Sequence, residues 1–468
     1  MDKRKKYGSW NKVSFIGTAI RWLSDNRMHQ IKLYTITLLG IILLVLGWNN
    51  TAAGKVYIDI DSPAFQKFPI AITDFKNLGG SDDSENLSVW LSDALKKSLN
   101  ITGFFRIVKK SAFLEDPNQS GITADSIRFS DWVSIGTETL VKGGFQYDGE
   151  KFSVEFRLFD VVQGKLIVGK KYWGKIEDKE VMVIKYVNEI LLALTGKRGV
   201  FDTKIAFVRR RGKTSDIYTI NFDGSELVRV TSYGSITLSP HWSPDGKMIS
   251  FTSYILGNPD FYVMNMSSKV AKKISSFEGL NLSAPWATDG RKVLLTLSKD
   301  GNEEIYLLDL EYNKLKRITH NPSIDVSPTW SPDGRKIAFV SNRSGSPQIY
   351  LMDADGNNVR RLTYKGSYNT SPSWSPRENR IAYESATNGY FQIFSIDEDG
   401  SNMVQLTFDG CNESPSWSPD GRYLAFSSKK NEKSGICVMN SNGSNMRVLH
   451  ESVDIYGCPS WSPRSNLY

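Results

Sequence analysis

Ser327-Pro328-Thr329-Trp330-Ser331-Pro332-Asp333-Gly334-Arg335-Lys336-Ile337-Ala338-Phe339-Val340 decides the fold. A short inner strand ends at a tryptophan, and a Pro-Asp-Gly turn reverses the chain into a second β-rich run. Proline suits the first corner of such a turn and glycine its exit. The motif recurs at Trp242, Trp286, Trp330, Trp374, Trp417 and Trp461, at spacings of 44, 44, 44, 43 and 44 residues. A period of that length with four short strands per unit predicts a β-propeller, and six copies predict six blades.

Working outward from Trp330, Gln348–Met352 reads as a third strand and Val359–Thr363 as a fourth. Asp355-Gly356 between them reads as a two-residue hairpin turn with positive φ at both positions. The same dipeptide signal stands at Asp223-Gly224, Asp399-Gly400 and Asn442-Gly443. After Trp461 no second, third or fourth strand follows. Three orphan strands, Lys204–Val208, Asp216–Ile220 and Leu227–Thr231, precede the first tryptophan. One blade is therefore expected to join Cys458–Trp461 to residues 204–231, closing the ring and removing free edges. The repeat tryptophans are read as packing between blades. The departures at Ala287-Thr288 and at Arg377-Glu378-Asn379 are read as drift within the turn.

Residues 54–200 lack the repeat and read as a small α/β domain. Lys55–Ile60 and Phe68–Thr73 have strand patterns. Leu87, Trp90, Leu91, Leu95 and Leu99 fall on one helical face, with Asp83 or Ser84 as cap and Gly103 as stop. Lys151–Asp160 alternates as a half-buried strand after an Asp148-Gly149 turn. A second amphipathic helix through Val183, Val187, Ile190 and Leu194 stops at Gly196. The expected architecture is multidomain, an α/β N-terminal domain over 54–200 followed by an all-β six-bladed propeller over 201–468.

Charge divides the chain unevenly. Its formal net charge is +8. Residues 1–53 hold eight Lys/Arg against Asp2 and Asp25, so the remainder carries about +2 and gives a nucleic-acid partner no support. Leu33–Trp48 is an apolar run behind that basic stretch, followed by Thr51-Ala52-Ala53. This is the layout of a signal peptide over 1–53, with Met28 as an alternative start. An uncleaved anchor is the other reading. Either places residues 54–468 beyond the inner membrane. Three cysteines, Cys411, Cys437 and Cys458, make no disulfide framework. They read as free thiols, with a Cys411–Cys458 bridge left open.

The junction Leu194-Thr195-Gly196-Lys197-Arg198-Gly199-Val200-Phe201-Asp202-Thr203-Lys204 resembles the domain boundary of the TolB family. Leu158-Phe159-Asp160-Val161-Val162-Gln163-Gly164-Lys165 resembles part of that family's N-terminal domain. Val56-Tyr57-Ile58-Asp59-Ile60, followed by Pro69-Ile70-Ala71, resembles its mature N-terminus. The long basic leader departs from the family pattern. The resemblance implies a non-enzymatic periplasmic component of the Tol–Pal system, serving outer-membrane integrity and invagination during cell division. It implies a Pal-like lipoprotein bound at the propeller mouth and a TolA-like inner-membrane protein met by the mature N-terminus. Contact with the membrane would be indirect, and no cofactor is expected.

Loops entering the inner strands should line the channel mouth. Five residues before the tryptophans stand Thr237, Asn281, Asp325, Asn369, Asn412 and Tyr456. These residues are either exposed partner contacts or caps of local turns. Contacts at this face, as the resemblance implies, single out Asn281, Asp325, Asn369, Thr370, Asn412 and Glu413. Lys55, Val56, Ile58 and Ile60 are the candidates in the N-terminal segment. Two other function classes compete. A propeller peptidase needs a Gly-x-Ser-x-Gly elbow, absent here, and a further hydrolase domain. The histidines, His29, His241, His320 and His450, occupy non-equivalent repeat positions and read as surface or strand-end residues. A peptidoglycan- or carbohydrate-binding propeller would use stacking aromatics. Half of the twelve tryptophans, however, belong to the repeat.

Overall fold

The computed structural model describes residues 66–79, 83, 85–115 and 120–464. The leader, the Lys55–Ile60 strand, the candidates Lys55, Val56, Ile58 and Ile60, and the Ser84 cap lie outside the described residues.

The N-terminal part is a mixed sheet. Its strands are β1 (Phe68–Ile72), β2 (Lys76–Asn77), β3 (Phe105–Ile107), β4 (Thr139–Tyr147), β5 (Phe152–Asp160) and β6 (Lys165–Gly174). The order is β3-β1-β4-β5-β6, with β2 on β4. β1 runs parallel to β3 and β4, while β4, β5 and β6 form an antiparallel meander. Alternation along β1 sends Ile70 and Ile72 toward helices α1 (Leu87–Ile101) and α3 (Lys179–Thr195), and Ala71 toward a second core around Trp132. Trp132 lies on the short helix α2 (Phe129–Ser134). The α1 cap is Asp83, whose carboxylate accepts the Leu87 and Ser88 N–H groups at 2.7 and 3.0 Å. Gly103 and Gly196 end the helices at φ 76° and 71°, where a Cβ would be strained. On the α2 side, buried Lys142 donates to Glu115 at 3.0 Å, and the Trp132 indole donates to the other carboxylate oxygen at 2.6 Å.

Six four-stranded antiparallel sheets follow. Inner strands end at the repeat tryptophans: Thr237–Trp242, Asn281–Trp286, Asp325–Trp330, Asn369–Trp374, Cys411–Trp417 and Ile455–Trp461, blades 1 to 6. The last of these pairs with Lys204–Arg211, giving a sixth blade built from both ends of the repeat region. The tryptophans pack between blades. Trp374 joins Val340, Ile349 and Leu351 of blade 3 to Ile381 and Tyr383 of blade 4. The Trp417 indole donates to Ser373 O of the preceding blade at 3.0 Å.

The Ser-Pro-Asp-Gly turn explains itself chemically. The Ser331 hydroxyl donates to Asp333 Oδ1 at 2.6 Å and accepts the Lys336 N–H at 2.9 Å, while Gly334 takes φ 70°. The outer hairpin differs from expectation. Between Gln348–Asp353 and Arg360–Arg361 the chain makes a longer loop, not a two-residue turn. Only Gly356 of the dipeptide has positive φ. Asp355 instead accepts the Asn357 N–H at 3.0 Å, and Asn358 takes the second left-handed position. An Asx turn has replaced the tight hairpin.

The domains share one core. It runs from Leu91, Leu95 and Tyr186 through Phe104, Phe201 and Phe222 to Tyr423 and Trp461. Both long helices point their C-termini at the propeller. Asn445 donates to Ile101 O at 3.2 Å, and Arg422 donates to the Thr195 hydroxyl at 3.0 Å. Donors at helix C-termini satisfy orphan carbonyls and favour the helix dipole.

Candidate partner-docking site

In each blade the inner strand starts, and the second strand ends, on one face of the ring. Loops between blades and hairpins between second and third strands therefore crowd the same rim.

The structure buries Asn281, Asp325, Asn369 and Asn412, each wholly inaccessible to solvent. The expectation that they are exposed is corrected, and turn capping is the geometry found. Asn369 donates to Gln348 Oε1 at 2.7 Å and to Lys365 O at 2.9 Å. Asn412 donates to Gln392 Oε1 at 3.1 Å and to Asp409 O at 2.8 Å. Asn281 accepts the Phe277 N–H at 3.0 Å and donates to Phe277 O at 2.7 Å. Asp325 receives Arg343 Nη2 on both carboxylate oxygens at 3.0 and 2.7 Å. Each side chain ties a rim loop to the body of a blade. Thr370 and Glu413 stay half-buried at the mouth.

One residue layer deeper, Ser239, Ser283, Ser327, Ser371, Ser414 and Cys458 ring the channel around a cavity of about 160 Å³. All but Ser283 take positive φ, between 48° and 56°, at a β-bulge that aims them inward. His241, next to the end of its inner strand as one of its two readings had it, also lines this cavity, and burial pushes its imidazole down to about 4. Beside the ring, Glu384 accepts the Thr370 hydroxyl and the Ser414 N–H, both at 2.6 Å. Burial raises its carboxyl above the ordinary range, and nearby Glu413 adds to the rise. The three cysteines are free thiols. No group of three or more metal-ligating side chains occurs among the described residues.

Beside exposed charges such as Lys365, Asp409 and Lys430, this face holds open apolar and aromatic side chains. Val453 is 82% exposed, Phe408 77%, Tyr364 73%, Leu256 64% and Tyr390 60%, with Tyr368, Phe277, Ile324 and Ile455 also open. Tyr368 meets Phe391 edge-on at 5.7 Å, and Lys299 lies over Phe277 at 5.6 Å. In the sequence the polar ring five residues before the tryptophans stands out, and these aromatics do not. A signal was present, since Tyr364 and Phe408 directly follow the buried Leu-Thr pairs that close outer strands. The hydroxyls of Thr363 and Thr407 accept the Ile349 and Ile393 N–H groups at 2.9 and 2.8 Å. The following aromatic is thereby turned out of the blade.

A family model described as the TolB beta propeller domain matches residues 192–465, and one for the TolB amino-terminal domain matches 56–167. The chain belongs to the TolB family. Among TolB relatives, "Tol-Pal system protein TolB" of Syntrophus aciditrophicus is 52% identical over 210 residues, 44% of this chain and 46% of that protein. The protein of the same name from Desulfosudis oleivorans is 40% identical over 223 residues, 48% of this chain and 51% of that one. The chain thus spans about half the length of the curated relatives it matches. The crystal structure of TolB from Acinetobacter baumannii superposes with a TM-score of 0.75 at 29% identity. That match covers 85% of this chain and 97% of that one.

Proposed function

We propose that this TolB-family chain is a non-catalytic, periplasmic protein-interaction component of the Tol–Pal system, with a signal peptide over 1–53 and domains over 54–200 and 201–468. Its propeller mouth receives a Pal-like lipoprotein. Residues 55–60 reach a TolA-like inner-membrane protein, and the two contacts together serve outer-membrane integrity during division. The observation that supports this most is the apolar rim. Tyr364, Phe408 and Val453 stand open on three successive interblade loops of that rim, where open apolar side chains suit a docking surface. The buried Asn281, Asp325, Asn369 and Asn412 then act on the partner by fixing the rim loops, while Thr370 and Glu413 remain candidates for contact. The same open aromatics favour a second reading, a carbohydrate stacked on Tyr364, Tyr368 and Tyr390.

The test is affinity capture from envelope extract with the parent chain and a Tyr364→Ser/Phe408→Ser double variant. Loss of a Pal-like lipoprotein, with affinity falling about tenfold or more and melting unchanged, is the expected result. Equal capture by the double variant removes the mouth as the docking site. Binding of purified peptidoglycan fragments in place of the lipoprotein selects the carbohydrate reading.

A further inference from the structure

At the far side of the N-terminal sheet, β6 is the last strand, and among the described residues nothing pairs with its outer edge. The strand is ten residues long, Lys165–Gly174, roughly 33 Å at ordinary strand rise. Lys165, Lys170 and Lys171 stand on it, and Lys175 follows it, all exposed. Lys170 pairs with Glu189 of α3 at 3.3 Å, and Glu177 and Asp178 lie past the strand's end.

Lysines on an edge strand commonly serve to prevent sheet-to-sheet association. That purpose does not account for the apolar side chains here. Trp173 is 71% exposed, Leu166 49%, and Val162, in the turn feeding the strand, 74%. An edge built only to repel neighbours would not hold an open tryptophan. Lys171 Nζ lies 5.7 Å from the Trp173 ring centroid, so indole and ammonium share one face of the strand.

We propose that this edge docks on the surface of an anionic phospholipid bilayer. Trp173, Leu166 and Val162 would seat at the headgroup boundary, with Lys165, Lys171 and Lys175 on the phosphates. Indole rings favour that boundary, and lysine lays its stem along apolar surface while its head meets anions. The strand's own charges, Lys165, Lys170 and Lys171, are all basic and favour an anionic surface over a zwitterionic one, although Asp160 and Glu155 stand opposite two of them on the neighbouring strand. The site is independent of the propeller mouth and adds a direct membrane contact to the indirect one expected from the family.

Flotation with vesicles of phosphatidylethanolamine and phosphatidylglycerol, against vesicles of phosphatidylcholine, tests this on the chain as purified from cells. Every variant comes from the same preparation, so any contribution of residues 33–48 is common to all arms. Binding to the anionic vesicles should exceed binding to phosphatidylcholine and weaken with salt. Lys165→Gln/Lys171→Gln, which remove the charge without setting an acid against Asp160 or Glu155 opposite them, should reduce it about tenfold or more, and Trp173→Ala should also reduce it. Tyr312→Ser, an equally open aromatic on the opposite propeller rim, should leave it unchanged. Lys170 is spared because it holds an ion pair with Glu189 of α3. With the tryptophan indoles labelled, nitroxide lipid should bleach the Trp173 signal and leave that of buried Trp132. Equal binding by the variants, indifference to lipid charge, or an unbleached Trp173 overturns the proposal. So does a result in which the variants keep vesicle binding but lose an acidic extended peptide, which would make the edge a strand-pairing site.

Discussion

Asp325 carries a carboxylate with no exposed surface, held by a guanidinium that is itself only 21% exposed. Removing one partner of such a pair leaves the other desolvated and unpaired. Asp325→Ala is therefore expected to destabilise the propeller by about 3 kcal/mol, read as a lower midpoint in urea unfolding. A variant that melts like the parent contradicts the buried pairing. His241 gives a pH dependence whose sign is fixed. Its folded-state value is about 4, against an ordinary 6.5, so the unfolded chain binds the proton more readily. Stability falls as pH drops from 6.5 toward 4 and is unaffected above, by up to about 3 kcal/mol. His241→Asn should flatten that acid limb in denaturant titrations at several pH values.

Among the elements, the Ser-Pro-Asp-Gly turn was legible because its conformation is dictated within four or five residues. Ser331 is nearly inaccessible and makes two hydrogen bonds inside the turn. Ser331→Ala should cost about 1–2 kcal/mol in equilibrium unfolding, and a neutral result would mean the turn holds without its serine. The outer hairpins were misread because Asp-Gly has two uses. A side chain that accepts the N–H two residues on makes a longer loop, as at Asp223, Asp399 and Asn442. Which use prevails depends on how far the outer strand must travel to reach its neighbour. In the N-terminal sheet, β4 and β6 went unread in the sequence. β4 is buried on both faces through Phe145, and β6 is exposed along most of its length. Neither alternates.

For the whole molecule, closure of the ring is the decisive event. Ile455–Trp461 supplies the inner strand of a blade whose other strands begin some 250 residues earlier, at Lys204. Trp461 N–H bonds Ser416 of blade 5, and its indole donates to Thr203 at 2.8 Å. Deleting residues 455–468 should abolish the cooperative melting of the propeller and loosen its seat against Phe104 and Tyr423. Calorimetry and hydrogen exchange measure both. A truncated chain with an unchanged single transition would show that the last strand is dispensable.

The sequence by itself determined the six-bladed ring, its closing blade, the interblade tryptophans and the two long helices of the α/β part, though not the short α2. These follow from a period, from turn chemistry and from local apolar spacing, all written along the chain. Only the tertiary structure decided which residues of the rim are exposed. Five residues before each tryptophan the chain carries Asn or Asp in most blades, and a polar residue in a loop suggests exposure. Packing of neighbouring loops instead enclosed them, because the backbone groups of those loops needed donors and acceptors that water no longer reached. With the polar positions used internally, the aromatics beside them were left outside, among the exposed charges of the same loops.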